Sequence, residues 1–169
     1  MRDLVIRDAA PNELPAIREL TRAAYSEYAN LMTTTAWAGL AHAVDTALAT
    51  MQPVERIVAL RGGALVGGVM LYAPSADAYE GAIAQAGCPE IRMLAVLPDA
   101  RGQGVGKALV RECIRRARSA GATELGLHTS ASMRAAIRMY EGLGFVRVPR
   151  FDFQPEGAEL ITAYRLPLS

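Results

Sequence analysis

Glu90-Ile91-Arg92-Met93-Leu94-Ala95-Val96-Leu97-Pro98-Asp99-Ala100-Arg101-Gly102-Gln103-Gly104-Val105-Gly106-Lys107 is the stretch on which the reading of this chain turns. Glu90 to Leu97 is rich in apolar residues and reads as a strand that stops at Pro98, which has no N–H to give a ladder. The glycine-rich turn Arg101 to Gly106 follows at once and opens directly into a helix. That helix carries an apolar stripe of Gly106, Leu109, Val110, Cys113, Ile114 and Ala117, with Arg111, Glu112, Arg115, Arg116 and Arg118 on the other face and Gly121 as its terminator. The arginines read as a solvated face.

A strand that runs through glycines into a helix presents free backbone N–H groups at the positive end of that helix, which suits a phosphate or pyrophosphate. Glycine lets an anion approach the backbone and tolerates positive φ. Two familiar phosphate motifs fail here. A Walker A loop needs four residues between its first glycine and the Gly-Lys pair and then Ser or Thr, whereas this turn has three and then Ala108. The dinucleotide fingerprint G-x-G-x-x-G has Lys107 in place of its third glycine. The plain alternative is a turn chosen only for tight strand-to-helix packing.

Working outward, Leu4 to Arg7 reads as a short strand, and Pro11-Asn12-Glu13 starts a helix with Leu14, Ile17, Leu20 and Ala24 on one face. Residues 25–35 read as a loop or irregular helix, and Leu40, Val44 and Leu48 mark a weaker helix over 36–50. Arg56 to Leu60 and Ala64 to Tyr72, joined through Gly62-Gly63, predict an antiparallel hairpin. Residues 73–89 form a connection that can cover one mouth of a site. After the central helix come a strand near 124–129, a helix carrying Ala136, Met139, Tyr140 and Leu143 and stopped by Gly144, a strand over 145–148 and a last strand over about 160–166. One mixed α/β sheet in a single domain spanning 1–169 is expected.

The chain has 169 residues, 51% apolar and 21% charged, with a formal charge of +1. That composition excludes disorder and a disulfide scaffold, and the charge gives no global field to recruit nucleic acid or anionic membrane. Apolar runs are broken well before the roughly 20 residues of a membrane span. Arg2, Asp3, Arg7 and Asp8 bracket only Leu4-Val5-Ile6, unlike a signal peptide, so a cytoplasmic location is expected. Two cysteines, Cys88 and Cys113, and two histidines, His42 and His128, are too few at usable spacing for a metal site; the cysteines are expected to be reduced bystanders.

Arg101, Gly104 and Gly106 fit the pattern Arg/Gln-x-x-Gly-x-Gly/Ala, and Ala136-Ile137-Arg138-Met139-Tyr140-Glu141-Gly142-Leu143-Gly144-Phe145 fits A-I-x-x-Y-x-x-L-G-F at the proper separation. With these two motifs the chain resembles the GCN5-related N-acetyltransferase (GNAT) superfamily over residues 90–146. The resemblance implies a mixed, mostly antiparallel sheet with a central splay between its fourth and fifth strands, flanked by helices. It also implies an acetyl-CoA cosubstrate, no metal, an amine-bearing substrate and direct transfer in a ternary complex.

Carried over residue by residue, the resemblance places the pantetheine arm of the cosubstrate along Leu94, Ala95 and Val96. The loop Arg101, Gly102, Gln103, Gly104, Val105, Gly106 and Lys107 would then hold the pyrophosphate. The Leu94 N–H is expected to stabilise the tetrahedral oxyanion, Tyr140 to protonate the departing thiolate and to touch the cosubstrate, and Glu90 to act as base. A water relay is the alternative base, and a surface carboxylate paired with Arg92 the alternative role for Glu90. Tyr140 could instead be a core residue. Ala136 and Met133 complete the cosubstrate contacts, and Met133 stands where the family often has Asn. His128 is expected to be a packed or surface residue rather than a base. Tyr25, Tyr28 and Trp37 are candidates for an acceptor pocket or equally for the core, and Asp152, Glu156 and Glu159 could attract a cation but read as a solvated charge group on or beside the last loop. An exposed last strand would be one route to a homodimer. Two rival functions stay open: a silent acyl-CoA or small-ligand binding module of the same fold, discriminated by acceptor-dependent thiol release, and a nucleotide-phosphate binder, discriminated by competition between ATP and CoA.

Overall fold

The structure is a computed structural model, and it describes residues 3–79, 81 and 87–169. Part of the connection expected over 73–89, namely Glu80 and Ala82 to Ala86, lies outside the described residues, as does Arg2. Along the chain come β1 (Leu4–Asp8), α1 (Leu14–Tyr25), α2 (Thr34–Leu48), β2 (Val54–Arg61), β3 (Ala64–Tyr72), β4 (Glu90–Val96), α3 (Val105–Ser119), β5 (Glu124–Ser130), α4 (Arg134–Gly142), β6 (Val146–Arg147) and β7 (Ile161–Pro167). Single 3-10 turns occupy Pro11–Glu13, Ser26–Asn30, Pro98–Ala100 and Pro149–Phe151.

Local chemistry explains the helix boundaries. Glu13 sits at the entry to α1, where its carboxylate accepts the Ala10 N–H at 2.7 Å and both Arg7 guanidinium nitrogens at 2.9 and 2.7 Å. Thr33 caps α2 by accepting the Ala36 N–H at 3.1 Å, so that helix starts two residues before the weak apolar pattern does. The segment expected to be a loop or irregular helix is the 3-10 turn Ser26–Asn30.

Among the described residues, seven strands form one sheet in the order β1-β2-β3-β4-β5-β7-β6. Every neighbouring pair is antiparallel except β4–β5, which is parallel. The last strand is therefore no free edge: β7 lies between β5 and β6, and the sheet ends at β1 and β6. This corrects the expectation of dimerisation through an exposed last strand.

Alternation along the strands sends one set of side chains to each face. Ile57, Val69, Leu71 and Ile91 pack with Leu109, Val110 and Cys113 of α3 and with Leu125, Leu127 and Tyr140. On the opposite face Val58, Leu60, Met70 and Tyr72 pack with Ile17 of α1 and with Val44, Ala47 and Leu48 of α2. One arginine of the α3 outer face departs from the expected solvated role. Arg116 is only 15% exposed and pairs with Glu112 at 2.8 Å, with Glu55 at 3.2 Å and with Asp8, which fastens α3 to the β1–β2 end of the sheet.

Candidate active site

The parallel junction is where the sheet opens. β4 and β5 pair only at Glu90–Gly126 and Ile91–Leu127. On its other side β4 carries a bulge: β3 advances from Gly68 to Met70 while β4 moves from Ala95 back to Arg92. Met93 and Leu94 are thus left without a partner in either register, and Met93 takes φ 55°, an uncommon value for a side-chain-bearing residue. The Tyr25 hydroxyl donates to the Leu94 carbonyl at 2.9 Å and so fixes the bulged peptide from α1. Leu94 and Val96 are half-buried against the α3 side, whereas Ala95 is buried against Leu20 and Ala24 of α1.

Just beyond the bulge, the glycine turn runs into α3. Gly102 and Gly104 have φ 72° and 80°, a region an L side chain rarely adopts, and Gly104 is the helix N-cap without any side-chain cap. The first helical bond runs from Ala108 N–H to the Gly104 carbonyl at 3.0 Å, so the amides of Val105, Gly106 and Lys107 have no helical acceptor. A Cβ on Gly106 would lie 3.6 Å from both Val96 Cγ2 and Met139 Sδ, which puts this N-terminus at the meeting of β4 and α4. These amides and the unpaired strand edge fit an extended ligand carrying an anionic group.

The side chains of the turn serve other ends. Arg101 reaches back to the end of α1 and the turn after it, donating to the Ala24 carbonyl at 2.9 Å and pairing with Glu27 at 2.6 Å, while Gln103 accepts from Arg61 and donates to the Asp99 carbonyl at 3.0 Å. Lys107 is exposed beside Arg111 and Arg115 along a shallow groove. The turn thus offers backbone amides, with its longer side chains holding its shape.

Tyr140 projects from α4 and is buried, its ring edge-on to Phe145 at 5.7 Å. Burial, with Tyr25 as a lesser influence, pushes its phenol well above the usual range. Ala136 packs partly buried beside it, and Met133 forms the N-terminal boundary of α4, its sulfur accepting the Thr129 hydroxyl at 3.3 Å.

On the α1–α2 side of the sheet a cleft of about 730 Å³ reaches the junction; Tyr25, Leu40, Tyr79, Arg92, Met93, His128, Met133 and Phe153 are among its walls. Of the three aromatics expected at an acceptor pocket, Tyr25 lines this cleft and Tyr28 and Trp37 do not. In the acidic loop, Glu156 and Glu159 line it, but Asp152 is held by Arg147 at 2.7 and 2.8 Å.

Glu90 differs from both of its expected surroundings. It is 3% exposed, so it is no surface carboxylate, and Arg92 turns away to donate to the Ala78 carbonyl at 2.6 Å and to stack 4.5 Å over the Tyr79 ring. The neighbours of Glu90 are Arg165 at 3.6 Å, His128 Nδ1 at 3.5 Å and the Tyr79 hydroxyl, which donates to Glu90 Oε2 at 3.4 Å. Gly126 makes the room: a Cβ there would lie 2.9 Å from Glu90 Cδ and 3.1 Å from Arg165 Nη1. The sequence reading did not single out Tyr79, Gly126 or Arg165. An isolated glycine inside Glu124–Ser130 was the available signal, since glycine within a strand marks a close approach.

A mixed sheet opened at one parallel junction, with an uncapped helix N-terminus at one mouth and a cleft at the other, defines an α/β protein that can bring two ligands together. Residues 14–145 match the Acetyltransferase (GNAT) family, and the chain belongs to that family. It is 41% identical over 59 residues to "Probable N-acetyltransferase family 8 member 5" of Mus musculus, covering 35% of this chain and 26% of the relative. It is 35% identical over 99 residues to a mycothiol acetyltransferase of Thermobispora bispora, covering 56% and 31%. The chain thus spans about a quarter to a third of the length of these curated relatives. Among solved structures, a GNAT family acetyltransferase from Brucella melitensis in complex with acetyl-CoA superposes with TM-score 0.64 and 21% identity, covering 100% of this chain and 90% of that one. That likeness establishes the fold. Among the described residues no helix is long and apolar enough to cross a membrane.

Proposed function

We propose that residues 1–169 act as one cytoplasmic catalytic domain that transfers an acetyl group from acetyl-CoA to an amine by direct attack within a ternary complex. The observation that carries this reading is the coincidence of the unpaired Met93–Leu94 bulge with the uncapped N-terminus of α3. Acetyl-CoA combines a pyrophosphate, an extended arm and a thioester. The amides from Gly102 to Lys107 would receive the pyrophosphate, and the opened edge Leu94-Ala95-Val96 the arm, flanked by Met133 and Ala136.

The Leu94 N–H stabilises the oxyanion that forms as the amine attacks the thioester carbonyl. Holding both reactants in one wedge supplies the proximity term, about 7–11 kcal/mol when alignment is ideal. Tyr140 gives a proton to the departing CoA thiolate, a task open to a phenol because it is un-ionised at neutral pH. Glu90 is the base that receives the proton of the acceptor ammonium. A binding module without turnover has one observation in its favour: Glu90 itself does not line the cleft.

Acceptor-dependent release of CoA thiol from acetyl-CoA tests the reading, with a polyamine, an amino acid, an aminoglycoside and a peptide bearing a free N-terminus as acceptors. Thiol release with at least one amine, reduced in Tyr140→Phe, is expected. Acetyl-CoA binding with no release for any amine class would favour the silent module, and failure to bind acetyl-CoA would overturn both.

A further inference from the structure

Between Glu90 and the cleft stand Tyr79 and His128, which both line it. The His128 side chain is 1% exposed and the Glu90 side chain 4%. His128 Nε2 lies 3.0 Å from the Phe151 carbonyl oxygen, which can only accept, so Nε2 carries a hydrogen. The other nitrogen, Nδ1, points to Glu90 Oε2 at 3.5 Å; it and Glu90 Oε1 are buried and have no hydrogen-bond partner among the described residues. With His128 neutral and Glu90 ionised, two buried lone pairs confront each other, an arrangement that costs free energy until one proton is added between them.

We infer that Glu90 and His128 form a proton-accepting pair that takes the acceptor's proton through the Tyr79 hydroxyl. The step balances. One N–H bond of the acceptor ammonium breaks and its proton goes to the Tyr79 oxygen, while the Tyr79 O–H proton passes to Glu90 Oε2 and is shared with His128 Nδ1. The amine, now carrying a free lone pair, attacks the thioester. Its second proton leaves by way of Tyr140 to the CoA thiolate, and the pair returns its proton to solvent between turnovers.

In the loaded state both imidazole nitrogens have acceptors, Phe151 O and Glu90, so the orphaned atom acquires a partner. Tyr79 is suited to conduction because burial, and then the neighbouring Glu90 charge, raise its phenol far above the usual range, so that it passes a proton on rather than losing one. Arg165 faces the pair from β7, with Cys88 and Glu124 beside it; Arg92 faces it from β4 across the Tyr79 ring, and Asp152 lies on the side of the last loop. His128 acts through Glu90 and is a positioning residue, and so is Gly126, whose missing side chain seats the carboxylate.

This inference rests on the acetyltransferase reading for its role, but the pair can be tested without turnover. His128 and the exposed His42 are the only histidines, so nitrogen NMR of uniformly labelled protein distinguishes the two across a pH series. His128 should show the Nε2–H tautomer, and Glu90→Gln should move its Nδ1 resonance while the resonances of His42 stay fixed. An Nδ1–H tautomer, or a His128 Nδ1 resonance unmoved by Glu90→Gln, would overturn the pair whatever the activity. In kinetics, Tyr79→Phe should lower kcat about a hundredfold with KM for acetyl-CoA unchanged, and His128→Gln should shift the acidic limb of the pH–rate profile. Wild-type kcat and profile in both variants, with acetyl-CoA binding retained, would also overturn it. Loss of acetyl-CoA binding by the wild-type protein would sink the acetyltransferase reading alone, leaving the NMR result to decide the pair.

Discussion

Gly126 shows how much one missing side chain can determine. The carboxylate of Glu90 occupies the space a Cβ would fill, and the Arg165 guanidinium closes it from β7. Gly126→Ala should lower stability by about 1–3 kcal/mol through overpacking and lower turnover as well, read from urea unfolding and thiol release; an unchanged midpoint and rate would show that the carboxylate does not need this seat. The sequence made Tyr140 a candidate through its motif, and the structure adds its burial, which raises its phenol. Glu90 was legible as a candidate base, but its partners come from β5, β7 and the segment before β4, and no spacing rule connects such distant positions. Cys88 and Cys113 are free, buried and pushed up to about 12 chiefly by burial. Both should resist a thiol reagent in the native protein and react once it is unfolded; rapid labelling of the folded chain would contradict that placement.

At the scale of elements, the glycine turn and α3 were the most legible part of the chain, because a strong 3.6-residue stripe directly follows a strand and its glycines. Leu109, fully buried in that stripe, should cost about 2–5 kcal/mol on replacement by alanine, measured by urea unfolding; a loss of a few tenths would mean that α3 is not the main cover of the sheet. Gly104→Glu places a side chain at φ 80° and an acid among the free amides. It should abolish acetyl-CoA binding in calorimetry, whereas undiminished affinity would remove the turn from the ligand site. The bulge at Met93–Leu94 was not legible, since an apolar run such as Met93-Leu94-Ala95-Val96 reads as regular strand whether or not its register slips. The cap of α2 by Thr33 was hidden for a related reason: three consecutive threonines offer several equivalent caps.

Over the whole molecule, strand and helix order was readable from periodicity, while the exchange of β6 and β7 in the sheet was not, because pairing partners are chosen by packing across long separations. Charge also acts at this scale. Arg115, and then Arg116, hold the Glu112 carboxyl down to about 2, and Arg7 does the same for Glu13 with help from the Ala10 amide. Because the folded values lie below the unfolded one of about 4.3, this stabilisation is complete above that pH and fades as pH falls toward 2. Tm should therefore drop through that window, and Glu112→Gln should flatten part of the drop; an identical acid limb in the variant would mean that the ion pair contributes nothing. Whether the opened β4–β5 junction and the α3 N-terminus hold acetyl-CoA is read from thermal unfolding of CoA-free protein with acetyl-CoA or ATP. At a hundredfold excess over Kd, a specific site adds about 2.7 kcal/mol, so Tm should rise by several degrees with acetyl-CoA and not with ATP. No rise with acetyl-CoA, or an equal rise with ATP, would mean that this junction is not an acetyl-CoA site.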